Sequence, residues 1–170
     1  MTAADVVFAA LGLLALGSGL LVVTVRNVIH AALWLVVCFG ALAGCYLLLT
    51  AEFVAWVQVL IYVGAIVVLL LFAAMLTRAP VGPTQDLDSA NRPAAALVAL
   101  AVGVTLGTLL VKAFRMSYVD LNAAAGSGGG RPLGDAIFRY YVLPFEIASV
   151  LLLAALVGAI VLTRPDIGDR

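Results

Sequence analysis

Charge is scarce in this chain, and histidine and cysteine are nearly absent. Of 170 residues, nine are Lys or Arg, nine are Asp or Glu, one is His and two are Cys. Each shortage excludes something. With no net charge and no basic cluster, nothing offers a nucleic-acid surface. Metal centres want several His, Cys or carboxylate ligands together. His30 stands alone beside Arg26 and Asn27 and reads as a solvated loop residue. Cys38 and Cys45 are seven apart, share a helical face, and have no His or carboxylate with them, so they read as small apolar residues. A haem or iron–sulfur site has too few ligands. No segment reads as a strand, so no glycine-rich phosphate loop follows one. Met1 to Asp5 lack Lys and Arg, which argues against a cleaved secretory signal.

What is present is apolar length. Hydrophobic residues make up 65% of the chain and the mean hydropathy is +1.23, a balance no soluble domain has. The expectation is an all-α integral membrane protein with five transmembrane helices and no strands, forming a single membrane domain over residues 1–170. The five spans are expected near residues 6–25, 31–50, 53–77, 94–113 and 144–163, each about the 20 residues that a bilayer demands. Residues 115–140 read as a flexible loop, centred on A-A-A-G-S-G-G-G-R-P-L-G from Ala123 to Gly134. Tyr140 and Tyr141 fit headgroup depth, and Pro80 to Pro93 is a polar loop rich in turn formers. No repeat of useful length appears, which argues against an inverted-repeat transporter.

Five spans put the termini on opposite sides. Arg26, Arg78 and Arg92 mark the inside loops and place the N-terminus outside and the C-terminus in the cytoplasm. Lys112, Arg115, Arg131 and Arg139 dissent from that assignment. Gly40 with Gly44 and Gly103 with Gly107 form two G-x-x-x-G pairs, which let backbones approach closely within the chain or against neighbours.

The third span, F-V-A-W-V-Q-V-L-I-Y-V-G-A-I-V-V-L-L-L-F-A-A-M-L-T from Phe53 to Thr77, is the most informative. It has no charge, but Gln58 and Tyr62 put polar groups in its first half. Gly64 near its middle costs about 1 kcal/mol relative to alanine. At α-helical spacing Gln58, Tyr62, Ala65, Leu69 and Phe72 share one face. Two carboxylates lie near spans, where an ionisable group is a functional candidate by default. Glu52 stands at the entrance of the third span, with Gln58 and Tyr62 placed to extend a polar path inward or simply to bond a neighbouring helix. Glu146 follows Pro144, a residue suited to the first helical position, and reads as a helix-start carboxylate that favours the helix dipole.

Three stretches resemble a known family. Q-V-L-I-Y-V-G-A-I-V-V-L-L-L-F (Gln58 to Phe72) resembles the third span of the J subunit of bacterial NADH–quinone oxidoreductase, respiratory complex I, whose mitochondrial counterpart is subunit 6. Leu133 to Leu162 resembles that family's last span, and R-N-V-I-H-A-A-L (Arg26 to Leu33) its first loop. The resemblance implies a subunit of the bacterial plasma membrane that binds no cofactor of its own. FMN, iron–sulfur clusters and quinone then belong to other chains of the complex. Its expected partners are the A, K, H and antiporter-like N subunits and the lipid bilayer, with no nucleic acid. It also implies a π-bulge at Tyr62, Val63, Gly64 and Ala65, and a non-catalytic role in coupling quinone reduction to proton translocation. Gln58 departs from relatives that carry a carboxylate there, so a titrating group at this position is not implied. The rivals are the equivalent subunit of a membrane-bound hydrogenase or of a multisubunit cation/proton antiporter, and, from another class, a stand-alone channel or transporter.

Overall fold

The computed structural model describes residues 3–77, 92–117 and 126–164, and all regular structure among them is helical. Five helices are long and apolar enough to cross a membrane. They begin with α1 (Ala3–Thr24) and α2 (Val28–Leu48). The third span is continuous over Glu52–Leu76 but changes pitch twice: α3 (Glu52–Val57), a π segment (Gln58–Val67) and α4 (Val68–Leu76). Then come α5 (Arg92–Phe114), a short α6 (Gly130–Tyr140) and α7 (Val142–Thr163).

Local chemistry explains the boundaries. The turn after α1 is only a few residues long because Asn27 caps α2 at once: its side-chain oxygen accepts from the Ile29 N–H at 2.9 Å and the His30 N–H at 3.4 Å. His30 therefore belongs to the first turn of α2, not to a loop. Pro132 and Pro144 are each the third residue of their helix. The first four N–H groups of a helix have no intrahelical partner, so a proline there forfeits nothing.

The expected loop needs correction. The loop expected over residues 115–140 contains α6 across its last eleven residues. The run of glycines hides a helical pattern, Arg131, Asp135 and Arg139 at spacing four with Leu133 and Ile137 between them. Residues 118–125, and the Pro80 to Pro93 loop except for the start of α5, lie outside the described residues.

Packing is uneven. α1 and α2 form a close hairpin, and the third span lies against α2. The buried residues of the hairpin are small: Ala15 and Ser18 on α1, and Ala32, Ala41, Ala43 and Cys45 on α2. Lipid gives no hydrophobic drive for association, so close backbone approach and polar bonds must supply it. Both are present. Gly44 leaves room for Leu11, whose Cδ1 would lie 2.9 Å from a Cβ there. The Cys38 thiol donates across the hairpin to the Ala15 carbonyl at 3.3 Å, so it is more than the small apolar residue that its spacing suggests. By contrast, every described side chain of α5 and α7 is exposed. Gly103 and Gly107 have nothing within 4 Å of where a Cβ would stand. Of the two G-x-x-x-G pairs, only Gly44 has a close neighbour among the described residues.

Two whole spans whose described side chains are all exposed predict a chain that is not stable alone. Expressed without neighbouring subunits, it should give little monodisperse protein in detergent and be readily digested. Losing about 1.4 kcal/mol of partner binding lowers the folded-to-unfolded ratio about tenfold. A protease-resistant monomer would contradict this.

Candidate functional site

The distinctive region is the middle of the third span. At its entry the Gln58 N–H is shared between the Val54 and Ala55 carbonyls, and at its exit the Val68 N–H reaches the Ala65 carbonyl. Between them lie ten residues of π geometry, in which a turn closes five residues on instead of four. Tyr62, Val63, Gly64 and Ala65 are all within it. It extends well beyond the single bulge expected at those four residues.

The pitch decides which face packs inward. Ala55, Gln58 and Val67 are buried, and Val63, Leu71 and Ala74 are half-buried. Their spacing is three, five, four, four and three. The step of five, from Gln58 to Val63, falls in the π segment. The stripe read at α-helical spacing is therefore broken after its first residue: Tyr62, Ala65, Leu69 and Phe72 are exposed. The extra residue per turn rotates everything beyond it. Tyr62 still touches α2 at its edge, its ring meeting Phe39 edge-to-face with centroids 5.3 Å apart.

Gly64 has one neighbour within 4 Å of its virtual Cβ, the Val59 carbonyl of its own helix at 3.4 Å. Within the described chain, then, it does not serve to admit another helix. A Cβ there would only reach contact with the carbonyl five residues back, the one that π geometry brings underneath it.

The three polar-path candidates stand in different surroundings among the described residues. Gln58 is buried, while Glu52 and Tyr62 are exposed. Glu146 also moves from its expected role. Because Pro144 occupies the third rather than the first helical position, α7 starts at Val142 and Glu146 is its fifth residue. It stands in the second turn, beyond the free N–H groups of the helix start. It is exposed, and its carbonyl accepts from the Ser149 hydroxyl at 2.7 Å. Among the described residues no group of three or more His, Cys, Asp or Glu is placed to hold a metal ion.

Sequence reasoning missed how the third span begins. α2 ends in a turn at Leu49 and Thr50, and Thr50 takes φ = 61°, a left-handed conformation costly for a β-branched residue. No side chain caps the new helix. Instead the Gly128 carbonyl accepts from the Phe53 N–H at 3.0 Å. This bond requires glycine, since a Cβ on Gly128 would collide with the Thr50 carbonyl and lie 2.8 Å from the Ala51 Cα. The segment before α6 is thus pinned to the entrance of the third span. The only signal in the sequence was the glycine cluster itself, which reads more readily as slack.

The sequence is similar to several known proteins. Residues 18–162 match the family model described as NADH-ubiquinone/plastoquinone oxidoreductase chain 6. The chain is 38% identical to F(420)H(2) dehydrogenase subunit J of Methanosarcina mazei, over 96% of this chain and 92% of that one. It is 42% identical to NADH-quinone oxidoreductase subunit 10 of Thermus thermophilus, over 90% of this chain and 85% of that one. It is 34% identical to NADH-quinone oxidoreductase subunit J of Rhodobacter capsulatus, over 98% of this chain and 86% of that one.

The Gly128 cap makes a local prediction. Gly128→Val should push the turn off Thr50 and break the bond to Phe53, at a cost of about 1 kcal/mol for the bond alone. Amide exchange at Phe53 in the assembled complex should then accelerate roughly fivefold or more, while amides in the middle of α5 stay unchanged. Unaltered protection at Phe53 would show that the carbonyl is not its cap.

Proposed function

Because this multi-pass membrane chain belongs to the chain 6 family of NADH-ubiquinone/plastoquinone oxidoreductases, we propose that it couples quinone reduction to proton translocation through its third helix. It performs no bond chemistry. FMN, iron–sulfur clusters and quinone are held by other subunits, and the A, K, H and antiporter-like N subunits cover the helices left bare here. The membrane is the bacterial plasma membrane, with the N-terminus outside and the C-terminus in the cytoplasm.

The observation that carries this reading is the π segment itself, a strained helical form placed in the middle of a span whose one charge, Glu52, is its first residue. Two helical registers are available to the same residues. In the π register, Val63, Val67, Leu71 and Ala74 face α2. In an all-α register the residues after Gln58 rotate by about 100°, from the 3.6-residue repeat, and Tyr62, Ala65, Leu69 and Phe72 take that face. The inner surface thus exchanges a tight aliphatic seam for one that carries a phenol hydroxyl beside Gln58. The first excludes water, while the second offers it two polar groups in succession. Such an exchange opens and closes a water path without any ionisable group at position 58.

One relative, named for F(420)H(2), favours a second reading of the electron donor only. On this proposal the donor is handled by other subunits, so both readings share the same mechanism here. Assaying the purified complex with NADH and with the reduced deazaflavin separates them.

Gly64→Val tests the switch. Its added methyl groups crowd the Val59 carbonyl, which a Cβ already meets at 3.4 Å in π geometry, and so favour the α register. A bias of about 1.4 kcal/mol shifts the two registers about tenfold. Donor oxidation with an artificial acceptor should be preserved, while quinone-linked proton translocation falls several-fold. Normal pumping in this variant, together with an unchanged π segment in every turnover state, would remove the switch.

A further inference from the structure

Helix α6 is pinned at both ends to the entrances of membrane spans. At its start, the Gly128 carbonyl accepts from the Phe53 N–H, and Gly130 lies 3.8 Å from the Phe53 ring when given a Cβ. At its end, Tyr141 alone separates it from α7, and the Phe138 and Phe145 rings meet edge-to-face at 5.3 Å. Phe53 and Phe145 both belong to the first turns of their spans, and the third and fifth spans enter the membrane from the same side. Eleven residues, about 16 Å of helix, therefore bridge two points at one depth. The axis of α6 must run along the membrane boundary.

The two sides of α6 differ sharply. Arg131, Asp135 and Arg139, four apart, form one exposed row. Leu133, Ala136 and Ile137 lie on the opposite side and are half-buried, and Tyr140 flanks them. Tyr140 and Tyr141, 80% and 60% exposed, supply the amphipathic rings that favour headgroup depth. We propose that α6 is an interfacial helix whose partner is the phospholipid boundary. Leu133, Ile137 and Tyr140 are set toward the acyl chains, and the Arg131 and Arg139 guanidiniums bind headgroup phosphates. Arginine suits this because its planar fork pairs with phosphate oxygens in twos. Two arginines against one aspartate leave the row cationic, complementary to anionic lipid. This inference does not depend on the coupling role proposed above.

The test uses the assembled complex in lipid vesicles, on a Cys38→Ser, Cys45→Ala background. A single cysteine at position 137, 133 or 135 carries an environment-sensitive fluorophore. Labels at 137 and at 133 should be quenched by lipids spin-labelled near the headgroup at least about twofold more than the label at 135, as for a face sunk about 5–10 Å. The label at 135 should be the one reached by aqueous iodide. In vesicles containing phosphatidylglycerol, the Arg131→Gln, Arg139→Gln double variant should lose part of the lipid quenching at 137. Labels at 137 and 133 shielded from both quenchers would mean that a neighbouring subunit covers the helix, and would overturn the proposal. So would equal access of iodide to all three positions, or a double variant indistinguishable from its parent.

Discussion

In hydrocarbon every backbone N–H and C=O must find its partner inside the protein. That constraint makes all five spans helical and governs each place where the helices depart from the ordinary pattern. The α1–α2 turn is closed by the Asn27 side chain. The start of the third span has no such side chain and takes a carbonyl from the segment before α6. The π segment keeps its backbone paired by reaching five residues rather than four. The fold is a set of solutions to one accounting problem, and the informative residues are those at which the usual solution fails.

The same solvent removes the force that usually gathers helices together. Leu against Leu gains little over Leu against lipid, so what holds α1 to α2 is small side chains and the Cys38 bond to Ala15. Those devices are concentrated in the first three spans. α5 and α7 have glycines of the same kind with nothing against them. The chain is thus divided between a part that packs itself and a part shaped for other surfaces. Only α6, held across the entrances of the third span and α7, ties the two together among the described residues.

Much of this is legible from sequence, and the failures have identifiable causes. Span number and approximate position follow from run length, because bilayer thickness is an external ruler. The special character of the third span follows from Gln58, Tyr62 and Gly64. Its inner face does not. An amphipathic stripe is read with an assumed pitch, and the pitch is what changes between Gln58 and Val63. Likewise Pro144 marks the start of α7 only to within its first turn, which moved Glu146 out of the role assigned to it. Gly128 to Gly130 read as slack because a glycine required by a close neighbour looks the same in sequence as one required by nothing. The four-residue spacing from Arg131 to Arg139 was there to be read, but three residues per face is a weak signal beside a glycine run.

The energetics of the proposed switch place a demand on the neighbours. In the π register Val67 is completely buried, and fully burying such a side chain contributes about 1.5–3 kcal/mol where the alternative is water. Here the alternative is lipid or another subunit, so most of that difference disappears, and the proposed switch requires two registers close in energy. Near-degeneracy makes an element switchable, but it gives no direction. A ligand or partner shifts such an equilibrium only by its differential affinity for the two states. The third span presents Tyr62, Ala65, Leu69 and Phe72 outward in one register and Val63, Val67, Leu71 and Ala74 in the other. A neighbouring helix fitted to aromatic bulk would hold the first, and one fitted to a flat aliphatic ridge the second. The choice of register therefore lies with whichever subunit covers that outer face. For this chain to transmit quinone chemistry, the covering surface must itself change during turnover.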